Sequence, residues 1–513
     1  MNSVIGAAGR AVFAVWFSRV VVIVMGLVVI PVLFDQLTQK ELGLWMLMNA
    51  GGALIQLLDF GVLPTLTRRI AISTAIEKNR KGINSNERGA NIICCGQVIY
   101  RYLSLILVSL LILLSMVLML TTSVDDNDSS LLVASVLFIG LGYVFTIASG
   151  VWQSCLAGSG YVALNTFILF VVTLVTIGLQ IIFAYEFSNL ISLSVTVFIS
   201  GILTFYVTKY FSSLKCSSIV SVKGRIKKSY VRSLLLMSSK YWLMILGAFL
   251  VLQTDRYFIS VFIGVDSLPL YQASYQLVNN IYIFSVSLAG AFSVFVSQMW
   301  RSGNNVELFR MIKIAIRIGL GLMSLGIVCV LLFGEEIFYF WLGEGNFIGR
   351  NILLVFCGLL FLEAQHVILC SLARATEFER FASIALIAGV VNVVITYFLV
   401  LEFGLYGVAL GTLIAQLLTN NWYVVYLSLK RLNITLMQYM KSMLIPVLLV
   451  FILLYSVGML INWILSQSIG DGWRLLLGSG FLAILFIISS WFVLIDSSDR
   501  IILIDVLRKR VNK

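Results

Sequence analysis

Seven ionisable side chains lie within long apolar runs of the sequence, away from the ends of those runs. They are Arg19, Asp59, Arg101, Asp255, Arg256, Glu363 and His366. A charge in hydrocarbon is costly, so such residues mark the path of a substrate, ion or proton, or they pair with one another and hold helices together. For each residue, the sequence leaves both possibilities open.

The first three of these charges lie toward the same side of the predicted helices. At 1.5 Å per residue, Arg19 and Asp59 each lie about 12 Å from the more basic ends of their apolar runs. Equal depth is consistent with an ion pair between neighbouring antiparallel helices. Arg101, about 10 Å deep in the third run, either reaches back to the membrane surface or faces the protein interior. Two arginines against one carboxylate leave net positive charge in this third of the membrane.

The remaining charges form two local groups. Adjacent residues of a helix point about 100° apart, so Asp255 and Arg256 do not pair directly with each other and need partners elsewhere. An interhelical ion pair is one such arrangement. Glu363 and His366 share one helical face. A buried carboxyl group beside a histidine is a candidate proton site, and a hydrogen-bonded pair with no transport role is the alternative.

Polar and aromatic side chains recur at helical spacing in the run that begins near residue 271. The side chains on or beside this face are Tyr271, Gln272, Tyr275, Gln276, Asn279, Asn280 and Tyr282. Lipid does not accommodate so many amides, and the deeper Asn279, together with Asn392 in another run, predicts a hydrated cleft. For Tyr271, membership of an aromatic belt at the membrane interface is the alternative.

The composition determines the solvent around these residues. Of the 513 residues, 60% are hydrophobic and only 11% are charged, whereas soluble domains are about half apolar and a quarter charged. The apolar residues occur in runs of about twenty, the length that crosses roughly 30 Å of hydrocarbon. A membrane protein is therefore predicted. A soluble enzyme, a secreted disulfide scaffold and a nucleic-acid-binding domain are excluded, although the net charge of +12 alone is compatible with nucleic acid.

About fourteen apolar runs are separated by short polar connections. They cover residues 11–34, 43–67, 94–120, 131–152, 164–186, 190–210, 234–263, 271–298, 314–333, 350–372, 381–401, 406–429, 443–463 and 475–495. With the N-terminus in the cytoplasm, inner segments hold 29 of the 35 Lys and Arg residues, and outer loops hold only Lys40, Arg350 and Arg474. Positive charge accumulates in cytoplasmic loops, so this asymmetry predicts an all-α, multi-pass membrane protein with both termini in the cytoplasm.

The connections offer little for catalysis or metal binding. No predicted outer loop exceeds about 16 residues, and the sequence has no Walker A or HExxH motif. Asp125, Asp126 and Asp128 have the oxygen ligands that a metal prefers, but solvation of a short loop is the simpler explanation. The seven cysteines show no metal-ligand spacing and are interpreted as small packing residues. No enzyme activity, cofactor or metal site is predicted.

A weak internal repeat divides the chain. Leu156-Ala157-Gly158 after the fourth run is similar to Leu372-Ala373-Arg374 after the tenth, and the longest basic connection, Lys209 to Arg232, lies between the sixth and seventh runs. Such a pattern is typical of transporters built from parallel repeats. It predicts two pseudo-symmetric six-helix lobes around a central cleft, with two further helices. The predicted parts are an N-terminal lobe at 1–210, a basic cytoplasmic linker at 211–233, a C-terminal lobe at 234–429, and two helices with a basic tail at 430–513.

Three segments resemble a known family. They are Asp59-Phe60-Gly61 followed by Arg68-Arg69, Asp255-Arg256 leading to Gly264 and Tyr271, and Leu405-Tyr406-Gly407-Val408-Ala409 at the start of the twelfth run. With these segments, nearly the whole chain resembles the Wzx-type O-antigen or exopolysaccharide-unit flippases of the multidrug, oligosaccharidyl-lipid and polysaccharide exporter superfamily. The stretch from Ala291 to Gln298 departs from that pattern because it lacks a proline that such proteins often have. The same outline fits lipid II flippases and, less well, drug exporters.

The resemblance implies a carrier of polyprenyl-pyrophosphate-linked oligosaccharide, such as an O-antigen repeat unit in lipopolysaccharide biosynthesis. Alternating access would move this cargo from the cytoplasmic to the outer leaflet of a bacterial inner membrane. The implied partners are membrane lipid, a glycan polymerase and a chain-length regulator, and not nucleic acid. A pyrophosphate in hydrocarbon needs cations, and a sugar needs hydrogen bonds and aromatic faces.

These needs assign expected roles to the buried polar residues. The expected substrate-binding residues are Arg19, Arg101, Arg256, Tyr271, Tyr275, Asn279 and Asn392. The expected charge partners or coupling residues are Asp59, Asp255, Glu363 and His366. Proton coupling and uniport driven by the membrane potential, about 2.3 kcal/mol per charge per 100 mV, both remain open. A cation-coupled drug exporter is the main alternative, whereas short outer loops disfavour a glycan polymerase or ligase.

Overall fold

The computed structural model describes residues 20–79, 84–121, 126–222, 224–303, 305–376, 381–467, 470–498 and 500. All regular secondary structure in these residues is helical. Ten segments are long and apolar enough to cross a membrane, and one of them, Ser383–Arg431, has 49 residues, enough for two crossings. Each of the fourteen predicted runs overlaps a described helix. The predicted all-α polytopic fold is therefore confirmed.

Contacts divide the chain into two units, Met1–Pro269 and Leu270–Lys513. The helices of unit 1 are α1 (Val20–Gln36), α2 (Gln39–Leu57), α3 (Val62–Asn79), α4 (Asn84–Thr121), α5 (Asp126–Ala148), α6 (Gly150–Gly158), α7 (Val162–Phe187), α8 (Leu190–Lys215), α9 (Ser217–Val220), α10 (Lys228–Leu252) and α11 (Thr254–Phe262). The helices α10 and α11 follow the predicted linker, yet α10 packs against α2, α3 and α4, and α11 packs against α2. The predicted lobe boundaries stay a prediction.

Unit 1 is organised around the close pair α5 and α8. The two backbones meet at glycines: a Cβ on Gly142 would lie 2.6 Å from the carbonyl oxygen of Val197, and a Cβ on Gly201 would collide with the carbonyl of Gly142. Small residues permit such approach between membrane helices, which then gain packing energy along their length. A larger residue at either position would separate α5 from α8.

Three runs that the sequence presents as single spans are broken in unit 1. The breaks lie between α2 and α3, at Ser149 between α5 and α6, and at Gln253 between α10 and α11. At the first break, Phe60 and Gly61 have φ angles of 49° and 68°, a left-handed conformation that glycine adopts readily. A broken helix exposes backbone amides and carbonyls within the membrane, which a protein tolerates where other polar groups or water satisfy them.

Unit 2 contains the remaining helices. They are α12 (Leu268–Ser302), α13 (Asn305–Leu342), α14 (Arg350–Arg374), α15 (Ala382–Leu418), α16 (Asn420–Arg431), α17 (Leu436–Tyr439), α18 (Ile445–Ser466) and α19 (Asp471–Ser489). The two predicted extra spans, α18 and α19, pack against α13 and against each other. The predicted gap between the eleventh and twelfth runs coincides with a sharp bend at Gly404, where φ is 55°.

One buried cation joins α13 to the ends of these two extra helices. Arg317 is 6% exposed, and its Nε donates to the carbonyl of Ser442 at 2.6 Å. Its Nη1 donates to the carbonyl of Leu494 at 3.0 Å and to Asp496 Oδ1 at 2.6 Å. Ser442 and Leu494 lie in π-turns, Met440–Leu444 and Ser490–Leu494, whose widened geometry leaves carbonyls available. The sequence count had placed Arg317 among the loop cations.

Candidate functional site

The break between α2 and α3 places a carboxylate inside unit 1. Asp59 Oδ2 accepts a hydrogen bond from the backbone amide of Leu63 at 3.1 Å, so the side chain caps the N-terminus of α3. The positive end of the helix dipole stabilises the negative charge there. The structure therefore gives Asp59 a local structural role that the predicted ion pair with Arg19 did not include.

Asp59 lines a cavity of about 750 Å³ within unit 1. The walls come from α2, α3, α5, α6, α7, α8 and α10. The polar lining residues are Asn49, Asp59, Tyr143, Thr146, Gln153, Thr173, Thr176, Gln180, Ser200 and Thr204. The apolar lining residues include Leu63, Pro64, Ile147, Leu169, Val172, Ile177, Val197 and Ile245. A pocket of this size with a few convergent polar groups is typical of a small-molecule or head-group site.

Four threonine hydroxyls of the cavity already donate hydrogen bonds to the backbone. Thr146, Thr173 and Thr176 each donate from Oγ1 to the carbonyl four residues earlier, at 3.0, 2.8 and 2.8 Å. Thr204 donates in the same way to Ser200, at 2.8 Å. A hydroxyl that has donated keeps oxygen lone pairs for a ligand. These four threonines, on α5, α7 and α8, therefore present acceptors that suit the hydroxyl groups of a sugar.

The amide groups complement those acceptors. Gln153 Nε2 donates to Ser149 Oγ at 2.7 Å, and Asn49 Nδ2 donates to the carbonyl of Trp45 at 2.8 Å. Each amide oxygen remains able to accept, and each amide nitrogen carries a second hydrogen. The lining thus combines donors and acceptors without strong charge, except at Asp59.

Two further groups act on the cavity wall. The Tyr100 hydroxyl is buried beside the Asp59 carboxylate, which acts on it electrostatically. Arg256 acts electrostatically on Tyr143, a lining residue, and on its own neighbour Tyr257. The cavity therefore has a negative group at Asp59 and a positive charge close to Tyr143.

The predicted charges of unit 1 have different surroundings. Arg19 lies outside the described residues. Arg101 is exposed and shares its surface with exposed Tyr102 and Leu105, an environment typical of a side chain that reaches along lipid to the membrane surface. Asp255 and Arg256 lie in the first turn of α11, and both interact with other groups. Of these charges, the structure brings Asp59 and Arg256 to the cavity, one on its wall and one beside it.

The tyrosines predicted for a sugar-binding face pack inside unit 2. Tyr271 is 2% exposed, and its ring meets that of Phe356 edge-on at 5.0 Å between centroids. Tyr275 meets the same ring at 5.5 Å. Asn279 is half-buried, whereas Asn392 is fully buried and accepts a hydrogen bond from Thr396 Oγ1 at 3.3 Å. In this conformation Tyr271 and Asn392 contribute to packing between helices, and their predicted role in substrate binding stays a prediction.

Glu363 and His366 meet as their spacing predicts. Glu363 Oε2 lies 3.2 Å from His366 Nδ1, and the side chains are 12% and 13% exposed. Glu363 also acts electrostatically on Tyr282 of α12. The pair has the geometry to share a proton, and the same geometry serves a hydrogen bond within α14 that has no transport role. Its proposed role in coupling stays a prediction.

The sequence interpretation missed most of the unit 1 cavity. Its signal was present: Thr173, Thr176 and Gln180 recur at three- and four-residue spacing on one face of an otherwise apolar helix. Charged residues and the tyrosines near residue 271 are more distinctive in the sequence, whereas neutral threonine is common in membrane helices and donates to its own backbone. Such residues become informative once several helices converge on one space.

No group of three or more His, Cys, Asp or Glu residues that could hold a metal is found in the described residues. The side chains of Asp125, Asp126 and Asp128, which the sequence offered as metal ligands, lie outside what the structure describes. All seven cysteines are free thiols. Cys95, Cys155 and Cys216 are buried in the same apolar cluster of unit 1, in keeping with their interpretation as packing residues.

Comparison with solved structures identifies transporters of similar fold. The lipid II flippase MurJ in an inward closed conformation has a TM-score of 0.67 and 16% identity, over 94% of this chain and 98% of that protein. An inward-facing multidrug resistance MATE family transporter of the MOP superfamily has a TM-score of 0.60 and 14% identity, over 78% of this chain and 94% of the transporter. An outward-facing MATE structure has a TM-score of 0.59 and 14% identity, over 83% of this chain and 96% of the transporter. No family model and no curated protein sequence matches the chain.

Proposed function

We propose that this chain is a flippase that moves a polyprenyl-pyrophosphate-linked oligosaccharide, an O-antigen or exopolysaccharide repeat unit, from the cytoplasmic to the outer leaflet by alternating access. The observation that carries the proposal is the extent of the structural likeness. The lipid II flippase corresponds to 94% of this chain, whereas the two MATE transporters correspond to 78% and 83%. A lipid-linked glycan carrier thus accounts for more of the chain than a drug exporter does.

The cavity of unit 1 supports a glycan as part of the cargo. Its amides and hydroxyls offer both donors and acceptors, and its only charged lining residue among those described is Asp59. A sugar leaves water only if its hydroxyls find hydrogen bonds, and a lining of neutral polar groups supplies them at little electrostatic cost. In the proposed mechanism this cavity accepts sugar units while the acyl tail of the cargo stays in lipid.

The pyrophosphate requires cations, and none of the described residues that line this cavity is a cation. Arg256, whose charge acts on Tyr143 at the cavity wall, is the described arginine best placed to meet an anionic group near the sugar. Arg19 and Arg101 are proposed to attract the pyrophosphate earlier in transit. Asp255 is proposed to orient Arg256, and Asp59 to cap α3 and receive a sugar hydroxyl.

Energy for transport is proposed to come from a gradient. Glu363 and His366 form a candidate proton site, with the side chains 3.2 Å apart and largely buried. Uniport is the alternative, because outward movement of negative charge is favoured by about 2.3 kcal/mol per charge per 100 mV when the cell interior is negative. The two schemes differ in whether substitution of Glu363 removes the dependence of transport on a proton gradient.

A cation-coupled multidrug exporter is the second candidate, favoured by one specific observation. The cavity presents a carboxylate, Asp59, on a wall without a lining cation among the described residues, an arrangement that also suits an organic cation. A lipid II flippase of the same superfamily is a further alternative for the cargo. The candidates differ in what accumulates when the protein is absent.

The decisive experiment is deletion of the gene in its source organism, followed by extraction and mass spectrometry of lipid-linked intermediates. Accumulation of a polyprenyl-pyrophosphate repeat unit on the cytoplasmic side, with loss of surface glycan, is expected. Accumulation of lipid II would replace the proposed cargo. Unchanged lipid intermediates, together with increased sensitivity to organic cations, would favour the drug exporter. We also propose location in the inner membrane, cytoplasmic termini, and a glycan polymerase and chain-length regulator as partners.

A further inference from the structure

A second polar site lies at the basic end of unit 1, between α3 and α10. Arg69 of α3 donates from Nη2 to Ser233 Oγ at 2.6 Å and to Met237 Sδ at 3.1 Å, both on α10. Its Nε is buried and has no hydrogen-bond partner in the described residues. The guanidinium is thus held by one face against α10, while another of its donors is left unsatisfied.

The positive charge of Arg69 is uncompensated in the part of the chain that the structure describes. Its hydrogen-bond partners are a hydroxyl and a thioether, and no described carboxylate forms an ion pair with it. A half-buried guanidinium without a counter-charge loses hydration and gains little in return. An anionic oxygen ligand supplies the missing counter-charge and forms charge-assisted hydrogen bonds with a guanidinium.

Neighbouring cations strengthen the attraction for an anion. Arg68 precedes Arg69 on α3, and Lys227, Lys228 and Arg232 lie at the start of α10. All four are exposed, and none forms an ion pair with a described carboxylate. By the distribution of Lys and Arg, this end of the helices is the predicted cytoplasmic one. Anionic lipids on that surface are attracted by nearby Lys and Arg side chains.

The same part of α10 also presents apolar surface. Leu235 and Leu236 are 45% and 62% exposed, and they follow Arg232 by three and four residues, which places them on its helical face. A cation followed by exposed leucines one turn deeper matches the division of a phospholipid into an anionic head and an acyl chain. A free phosphate ion would use the cations and leave the leucines without a role.

We propose that Arg69, with Arg68 and Arg232 beside it, binds the phosphoryl head group of an anionic membrane lipid whose acyl chain lies along Leu235 and Leu236. Arg69 supplies directed hydrogen bonds to the phosphoryl group. The exposed cations Arg68 and Arg232 supply long-range electrostatic attraction. Ser233 and Met237 hold the guanidinium against α10, where Arg232 directly precedes Ser233 in the chain. The site is separate from the residues that line the unit 1 cavity, and it does not depend on which cargo the chain carries.

The test is lipid titration of the purified full-length chain by native mass spectrometry. The probes are phosphatidylglycerol and phosphatidylcholine with the same acyl chains. For Arg69→Ala, the first phosphatidylglycerol is expected to bind about tenfold more weakly, because one charge-assisted partner is lost, while phosphatidylcholine binding is unchanged. Arg69→Lys keeps the positive charge but loses the planar guanidinium. Its affinity for phosphatidylglycerol is expected to lie between that of Arg69→Ala and that of the wild type. Arg350→Ala, which removes an exposed cation at the start of α14, is the matched control and is expected to bind like the wild type.

Three outcomes would overturn the proposal. Equal phosphatidylglycerol binding by Arg69→Ala and the wild type would remove Arg69 from the site. Equal loss of both lipids would indicate a change in packing and not in head-group recognition. Displacement of phosphatidylglycerol by inorganic phosphate at the same concentration would indicate a free-phosphate site. If Arg69→Ala does not elute as a single species, Ser233→Ala replaces it, since this variant frees Nη2 from its anchor and is expected to weaken phosphatidylglycerol binding alone.

Discussion

The Nη1 atom of Arg317 lies 2.6 Å from Oδ1 of Asp496, although the two residues are 179 positions apart in the chain. Lys313, one turn earlier on α13, forms an ion pair with the other oxygen of the same carboxylate. Because Asp496 directly follows the last membrane helix, this cluster ties the end of that helix to α13. The ion-pair cluster therefore adds a polar contact to the packing of the two C-terminal helices, α18 and α19, against α13.

Asp496→Asn is expected to loosen this attachment. Arg317 keeps its two backbone acceptors but loses its ion pair, and Asp496 is 37% exposed, so water screens part of the interaction. We expect a loss of about 1 kcal/mol at neutral pH, or roughly 2–4 °C in apparent Tm, measured by thermal unfolding of the purified protein. Glu307→Gln, which removes a longer ion pair (3.5 Å) with Arg310 on the same helix α13, is the control and is expected to change Tm by less than half as much.

The effect of Asp496→Asn should depend on pH. Burial alone raises the pKa of Asp496, but hydrogen bonds and positive charge from Lys313 and Arg317 outweigh burial and hold the pKa below its ordinary value. The stabilisation is therefore complete above the unfolded pKa, about 3.9, and is lost as pH falls through the lower folded pKa. The difference in Tm between wild type and variant should shrink below about pH 4. A constant difference down to pH 3 would argue against the ion pair as its source.

Substitutions of Asp59 distinguish its role in capping helix α3 from the effect of its negative charge on transport. Asp59→Asn retains an acceptor for the Leu63 amide and should keep wild-type stability, whereas Asp59→Ala should lose about 1 kcal/mol. If the carboxylate also contacts cargo, both variants should export glycan about tenfold less, the effect of losing one charged contact. The measurements are thermal stability and surface glycan in a deletion strain. Wild-type export by Asp59→Asn would limit the residue to its capping role.

Filling the unit 1 cavity should block transport without unfolding the protein. Thr173 of α7 lines the cavity, and Val171, two residues earlier, is 39% exposed. Thr173→Phe is expected to reduce glycan export about tenfold or more by occupying the space. Val171→Phe adds a similar ring on an exposed face of the same helix and is expected to leave export unchanged. Equal export by the two variants at equal protein levels would place the sugar path elsewhere.

Two substitutions of Arg256 test its role toward the pyrophosphate. Arg256→Ala removes the charge beside Tyr143, and Arg256→Lys keeps the charge but loses the bidentate geometry. We expect export to fall strongly with Ala and partly with Lys, with protein levels and thermal stability as controls for folding. Normal export with either substitution would contradict a cargo role and leave an interhelical contact as the function of Arg256.

The coupling hypothesis rests on Glu363 and His366. Glu363→Gln keeps a hydrogen-bond acceptor for His366 but cannot exchange a proton with water, so transport in reconstituted vesicles should lose its dependence on a proton gradient. Collapse of the gradient with an ionophore in matched vesicles measures that dependence. If the variant retains the full dependence of the wild type, the pair is a hydrogen bond within α14 without a role in coupling.

Local patterns in the sequence were sufficient for the helical membrane fold. Hydropathy along contiguous runs determines which segments enter lipid, so fourteen runs were recognisable without knowledge of any long-range contact. The spacing of Glu363 and His366 predicted their contact for the same reason, since residues three apart meet on any helix. The bend at Gly404 also coincides with a gap between predicted runs.

Local reasoning was insufficient wherever partners come from distant helices. Tyr271 has the same helical spacing in a hydrated cleft as in a packed interface, and only its neighbour Phe356 shows which surrounding it has in this structure. The sequence groups Arg317 with the cations of the inner segments because it lies near the start of the ninth apolar run, yet Ser442 and Asp496 contact it from segments far along the chain. Sequence therefore identified polar residues without identifying the surface that each one faces.

The amino-acid sequence by itself determined that the chain is a bundle of membrane helices with a strong charge asymmetry, because solvent preference and helix formation depend on neighbouring residues. The tertiary structure decided that Thr173, Gln153 and Asp59 converge on one cavity, and that Arg69 faces α10 without a described counter-charge. Convergence of this kind depends on how separate helices pack, and packing depends on the shapes of many side chains at once.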